Sequence, residues 1–158
     1  MTTVRTRTMT PAEYETWARL LGVAYAEEQV AAGRWPREGA LQRALDENAR
    51  QLPQGAETAG MLVLQGLDRA GAPVGHAWVA LDPPHTTAGI AFLNDIEVRP
   101  ERRGQGWGRA LLAAVEEATR EVGATALELN VFGRNEAAIR LYANAGYDVV
   151  TQQMRKPL

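Results

Sequence analysis

The sequence predicts an α/β or α+β domain in which a mixed sheet is covered by helices. Three observations carry that reading. Short apolar stretches of strand period alternate with longer stretches of helical spacing. Glycine and proline punctuate the boundaries between them. The chain has 158 residues, 46% hydrophobic and 23% charged, which is the profile of one folded domain over 1–158.

Residues 3–9, Thr-Val-Arg-Thr-Arg-Thr-Met, alternate and are rich in threonine, the pattern of a short strand. Thr10-Pro11-Ala12-Glu13 starts a helix: Thr10 caps, Pro11 suits the first helical position and Glu13 completes a capping box. Tyr14, Trp17, Leu20, Leu21 and Tyr25 continue at helical spacing until Gly33-Arg34-Trp35-Pro36 breaks it. A second helix is expected over 37–51, with Ala40, Leu41, Ala44, Leu45 and Ala49 on one face.

Met61-Leu62-Val63-Leu64 reads as a buried strand, Asp68-Arg69-Ala70-Gly71 as a turn and Val74 to Leu81 as the second arm of a hairpin. After the loop Asp82-Pro83-Pro84-His85, residues 89–98 form a further strand, which Pro100 ends. A helix over 106–122 turns Leu111, Leu112, Val115, Ala118 and Val122 inward, and Gly123 stops it. Residues 126–131 are a strand. Asn135 caps a short helix closed by Gly146, and Tyr147 to Val150 starts a last strand.

Composition excludes several classes. Without cysteine there is no disulfide framework, thiolate zinc site, iron–sulfur cluster or thiol nucleophile. His76 and His85 are too few for a histidine metal cage, so no metal is expected. A net charge of −2 gives no electrostatic case for nucleic acid. No apolar run approaches the roughly 20 residues of a membrane helix, and the N-terminus shows no secretory pattern. The expectation is a cytoplasmic chain with no membrane partner.

The strongest local feature is Val98-Arg99-Pro100-Glu101-Arg102-Arg103-Gly104-Gln105-Gly106-Trp107-Gly108-Arg109, between a strand and a helix. Glycines let a ligand approach the backbone, and a helix N-terminus offers unpaired N–H groups. Together they make a phosphate cradle. Arg102, Arg103 and Arg109 add positive charge to an acidic chain. The spacing is G-x-G-x-G, which matches neither the dinucleotide fingerprint nor the Walker A loop.

Arg103-Gly104-Gln105-Gly106-Trp107-Gly108 resembles the [Q/R]-x-x-G-x-[G/A] pyrophosphate loop of the GCN5-related N-acetyltransferases (GNAT). Leu127-Glu128-Leu129-Asn130-Val131, then Asn135 to Tyr142, then Ala145-Gly146-Tyr147, resembles the strand, Asn, helix, Tyr and Gly-aromatic run of the same family. The resemblance is clear over residues 89–150. It implies a mixed sheet of about six to seven strands with helices on both faces, and strands 89–98 and 126–131 that splay apart. It implies acetyl-coenzyme A (acetyl-CoA) as cosubstrate. Its pyrophosphate would meet the loop from Arg103 through Gly104, Gln105, Gly106, Trp107 and Gly108 to Arg109. Its pantetheine arm would meet the main chain of Ile96 and Val98. Asn135 matches a cofactor contact, and is equally a helix cap. Trp107 either packs on the sheet or flanks the cofactor. Tyr142 matches the family's general acid, which meets the departing thiolate; it also falls on the core face of its helix.

The same resemblance leaves the base unassigned. Family members place an ionisable group at the positions of Phe92 and Asn94, or at that of Asn130, and none of these takes a proton. Asp95 and Glu97 remain, Asp95 first. Strict alternation puts both on the face opposite Phe92 and Asn94, and a bulge would re-aim one of them. They are otherwise solvated or paired with Arg99 or Arg102.

The family's first two helices wall the acceptor pocket, here Tyr25 to Glu28 and Gly33 to Pro36. Trp35 is either an aromatic wall for a cationic amine or a packing anchor. His76 and His85 read as structural residues. The implied reaction is transfer of acetyl from acetyl-CoA to a primary amine of a small molecule, by direct attack in a ternary complex. Protein N-terminal or lysine acetylation is the alternative, and a non-catalytic acyl-CoA sensor is the alternative of another class. The fold admits a homodimer, with Val149-Val150 as the natural contact.

Overall fold

Thr10 and Glu13 begin the first helix where their spacing places it. The computed structural model describes residues 2–158, and helix α1 spans Pro11–Ala31. The Thr10 hydroxyl accepts the Glu13 backbone N–H at 3.3 Å, and the Glu13 carboxylate accepts the Thr10 N–H at 2.9 Å. These bonds satisfy donors that a helix start leaves open. Arg7, in strand β1 (Arg5–Thr8), grips the same carboxylate at 2.7 and 2.9 Å. Helix α2 (Ala40–Gln51) folds back on α1, where Ala26, Ala40 and Ala44 form a small-residue contact.

β2 (Met61–Leu67) and β3 (Pro73–Ala80) form the expected hairpin. Its turn is held by Asp68, whose Oδ1 accepts the Ala70 and Ala72 N–H groups at 3.0 and 2.9 Å. β4 (Ile90–Val98) is antiparallel to β3, and β5 (Ala126–Leu129) is parallel to β4. Helix α3 (Trp107–Glu121) makes the crossover between them. Helix α4 (Glu136–Asn144) follows β5.

The sheet order is β1-β2-β3-β4-β5. Its two faces are covered by different helices. On one, Leu111, Leu112 and Val115 of α3 pack on Leu64, Ala77, Val79, Ala91 and Leu93. On the other, Trp17 of α1 packs with Val63 and Trp78. The inward residues of each strand alternate between these layers, as the strand period requires.

Four expectations need correction. Among the described residues the sheet has five strands, not six to seven. Tyr147 to Val150 forms no ladder, and Val149 and Val150 are 73% and 79% exposed. A β-rich run becomes a strand only beside a partner with free backbone groups, and that partner is not a local property of the run. The splayed pair is also shorter than 89–98 and 126–131: the strands are Ile90–Val98 and Ala126–Leu129, and their pairing stops at Leu93–Leu129. Val122 lies at the C-cap of α3 rather than on its inner face, and is 52% exposed. Among the described residues no helix is long and apolar enough to cross a membrane.

Candidate functional site

The site begins with one extra residue. Trp78 pairs with Asp95, and the next residue, Val79, pairs with Leu93. Asn94 therefore has no partner on β3 and forms a β-bulge. Up to Leu93, β4 is paired with β5; past Asn94 it stays on β3 but leaves β5. The strands splay as the resemblance implies. A cleft of about 160 Å³ opens between Asn94, Asp95 and Ile96 on one side and Leu129 and Asn130 on the other, with Tyr142 of α4 across it.

The bulge also settles which way the carboxylates face. Ala91 and Leu93 point to the α3 layer, and so do Ile96 and Val98. Asp95 and Glu97 are thereby turned to the α1 side, the side of Trp17 and Trp78. Strict alternation predicts the reverse.

The Arg99 N–H donates to the Val74 carbonyl at 2.9 Å. In an antiparallel pair such bonds recur at every second residue, so the main-chain groups of Ile96 and Val98 point away from β3 toward the cleft. The Val98 carbonyl accepts from Arg103 Nε at 3.1 Å.

Two side chains meet Asp95 on one oxygen. Trp17 Nε1 donates to Oδ2 at 3.0 Å, and His76 Nε2 lies 3.1 Å from the same atom. Among the described residues no donor meets Oδ1. Glu97 is half exposed, pairs with Arg103 at 2.5 Å and lies 3.9 Å from His76 Nε2. Its partner is therefore neither Arg99, which meets Glu101 at 2.9 Å, nor Arg102, which meets Asp68 at 3.1 Å.

Tyr142 packs against the α3 layer and lines the cleft, so its core and cleft readings hold together. Burial, and then the negative charge of Asp95, raise its phenol above the ordinary value. The hydroxyl is protonated at neutral pH and is a donor. Its ring lies 5.6 Å from that of Tyr147, whose hydroxyl donates to Glu116 at 3.0 Å. Asn135 caps α4: its Oδ1 accepts the Ala138 N–H at 3.2 Å.

The glycine-rich turn presents main-chain groups. Gly104 and Gly106 have φ of 71° and 84°, the left-handed region where a side chain is strained. Among the described residues no side chain caps α3, so its first N–H groups stay available. Arg102 ties the turn to the hairpin through Asp68, with its guanidinium 5.2 Å from the Trp107 ring centroid. Arg103 and Arg109 are exposed beside it. Uncapped N–H groups, left-handed glycines and cations are a donor set that fits a pyrophosphate.

On the acceptor side, Trp35 is a packing anchor. Its ring meets Tyr25 at 5.2 Å, and Arg43 lies 4.3 Å over its face. His85 meets Phe92 at 4.6 Å. His76 and Trp17 are the site residues that sequence reasoning missed. Their only sequence signal is position: His76 shares a strand face with Trp78, and Trp17 lies on the inner face of α1.

Comparisons with known proteins agree with this architecture. The model of the family described as Acetyltransferase (GNAT) matches residues 14–147. The chain is similar to two uncharacterized N-acetyltransferases of Bacillus subtilis. YdgE is 28% identical over 150 residues, covering 95% of each protein, and YycN is 31% identical over 160 residues, covering 99% of each. The crystal structure of YycN superposes with a TM-score of 0.84 at 30% identity, covering 99% of each chain. A mycothiol acetyltransferase of Propionibacterium freudenreichii is 36% identical over 117 residues, which is 73% of this chain and 36% of that protein. The chain belongs to the GNAT family, and is an acetyltransferase whose donor is acetyl-CoA.

Proposed function

We propose that the protein acetylates a primary amine of a small molecule, by direct attack of the amine in a complex that holds both substrates. The supporting observation is that Tyr142 and Asp95 line one cleft, at the point where β4 and β5 part. Likeness to a mycothiol acetyltransferase favours a low-molecular-weight acceptor.

The N–H groups from Gly104 to Arg109, with the Arg103 and Arg109 guanidinium groups, would hold the pyrophosphate. The main chain of Ile96 and Val98 would align the pantetheine arm as an added strand. The Asn135 amide, whose oxygen caps α4, has N–H donors left for the cofactor. Acetyl-CoA supplies a thioester whose carbonyl carbon takes the amine as its sulfur leaves.

Asp95 Oδ1 takes the amine proton, directly or through one water. Glu97, half exposed and 3.9 Å from His76, is the second acceptor and the way out to solvent. The Tyr142 hydroxyl donates to the departing sulfur, which its protonated state allows. With no cysteine in the chain, a thiol-bound acetyl-enzyme is not available, which favours direct transfer.

The test is thiol release from acetyl-CoA across a panel of amines: a polyamine, an aminoglycoside, an amino acid and a lysine peptide. Small-amine-dependent release is the expected result. Release with the peptide alone would favour the protein-modifying reading. A thermal shift with acetyl-CoA but no turnover on any amine would identify an acyl-CoA sensor.

A further inference from the structure

Two residues outside the cofactor loop converge on one oxygen of Asp95, from two elements distant in sequence. Trp17 comes from α1 and His76 from β3. A carboxylate on a largely covered sheet face must be hydrogen-bonded. Ordinary satisfaction would distribute donors over both oxygens. Here Trp17 Nε1 donates to Oδ2 at 3.0 Å, the His76 Nε2 atom lies 3.1 Å from the same oxygen, and Oδ1 has no donor among the described residues.

We propose that Trp17 and His76 are positioning residues, which fix the Asp95 carboxylate so that Oδ1 is presented to the acceptor. This rests on Asp95 as the base. The Trp17 N–H bond, with the His76 nitrogen in contact on the same oxygen, fixes the rotation of the carboxylate about χ2. The remaining oxygen then has one direction, away from Trp17 and His76.

Both side chains are themselves held. The Trp17 ring lies edge-on to Trp78 at 5.9 Å and to His76 at 6.3 Å, and 5.7 Å from Tyr14. Trp17 is 4% exposed. The groups that face His76 are Asp95 and Glu97 of β4, its cross-strand partner Gln65 of β2 and the Trp17 ring of α1, with Arg103 behind Glu97. No cation competes with His76 for Asp95 among the described residues. The Tyr142 phenol fits this placement, since it is raised first by burial and then by the charge of Asp95.

A network that holds a reacting group within a fraction of an ångström contributes to turnover rather than to substrate binding. The variants separate that role from a structural one. His76→Phe keeps a ring against Trp17 and removes the ring nitrogen; His76→Gln supplies an N–H in its place. Trp17→Phe keeps the ring and removes the indole N–H. Thiol release is measured with acetyl-CoA and spermidine, neamine or glycine, and with water alone as acceptor.

The expected result is a fall in kcat of about ten- to a hundredfold for His76→Phe and Trp17→Phe, the equivalent of losing a hydrogen bond to a charged group. The KM for acetyl-CoA stays within about twofold, and His76→Gln recovers most of the loss. Equal losses in His76→Phe and His76→Gln would overturn the proposal, as would an unchanged kcat in His76→Phe.

Asp95→Asn separates the two readings. If it leaves kcat intact, the base assignment fails. If it lowers kcat while the His76 and Trp17 variants do not, only the positioning role fails. A readout free of turnover is hydrogen exchange at the Trp17 indole N–H. It is slow in the native protein and faster in Asp95→Ala at equal thermal stability; exchange unchanged by that substitution overturns the proposal even if no amine is turned over.

Discussion

At the 103–108 turn the groups available to a ligand belong to the backbone. At Asp95, a few residues before it on the same β4-to-α3 segment, they belong to side chains. The turn uses left-handed glycines and an uncapped helix start. The Asp95 centre uses an indole, an imidazole and two carboxylates drawn from α1, β3 and β4. The contrast follows from the ligands. A pyrophosphate is the same in every reaction, and main-chain N–H groups hold it without regard to side-chain identity. An acceptor amine must be selected and deprotonated, which takes directed side chains. Substitutions should therefore divide: those at the α1 side should lower kcat, and those in the turn should raise the KM for acetyl-CoA.

The strongest break of that division is at the chemistry. Asp95→Asn and Tyr142→Phe should each lower kcat by about a hundredfold or more, the scale of a lost acid or base. Acetyl-CoA affinity, measured by calorimetry, should stay within a few-fold. Burial and the Asp95 charge hold the Tyr142 phenol above its ordinary value of 10.0. Its protonated form is complete below that pH and is lost as pH rises through the raised value. The Tyr142 limb of the kcat profile should thus lie above pH 10 and vanish in Tyr142→Phe.

A substitution between the two regions should affect neither division. Leu111 is fully buried in the α3 layer. Leu111→Ala should lower unfolding free energy by about 2–5 kcal/mol in a denaturant titration, with kcat per folded molecule retained.

Gly106→Val tests the other side. A β-branched residue at φ of 84° stores about 1–3 kcal/mol of strain. The turn should distort and the KM for acetyl-CoA should rise about tenfold, with kcat at saturation little changed.

The smallest effect is at the corner of β1 and α1. The Arg7 hydrogen bonds, followed by the Thr10 N–H bond, hold the Glu13 carboxyl down at about 2, from an ordinary 4.5. A lowered folded value contributes stability that is present above pH 4.5 and is lost as pH falls toward 2. After solvent screening this is about 1 kcal/mol. Glu13→Gln should flatten that part of the acid unfolding curve.

Legibility in the sequence follows the same divide. The Thr10–Glu13 box, the Asp68 turn, the 103–108 loop and the Asn135 cap are each decided by residues a few positions apart, and each forms as its spacing implies. Tyr142 reaches the cleft because α4 is short and starts at a marked cap. What lay beyond the sequence is non-local. The Trp17–Asp95 bond joins residues 78 positions apart. The bulge at Asn94 exists only in the register of β3 against β4, and no residue type announces it. Without it, Asp95 and Glu97 fall on the wrong face and His76 looks like any strand residue. The missing last strand is the same lesson: Val149 and Val150 have the composition of a strand and no ladder.

The extra residue at Asn94 has a consequence for heredity. Deleting its codon would leave Leu93 and Asp95 adjacent and alternating on their present faces, so β3 and β4 would pair without interruption. The interruption that now parts β4 from β5 after Leu93–Leu129 would then be gone, and pairing is expected to extend to Asp95 opposite Asn130. The sheet would zip shut over the cleft, and every residue of the reaction would survive in a protein with nowhere to perform it. The activity is thus inherited partly as a length. An alignment that scores only residue identity would class such a deletion as mild, while a frame-preserving loss of three nucleotides would silence the enzyme and spare the fold.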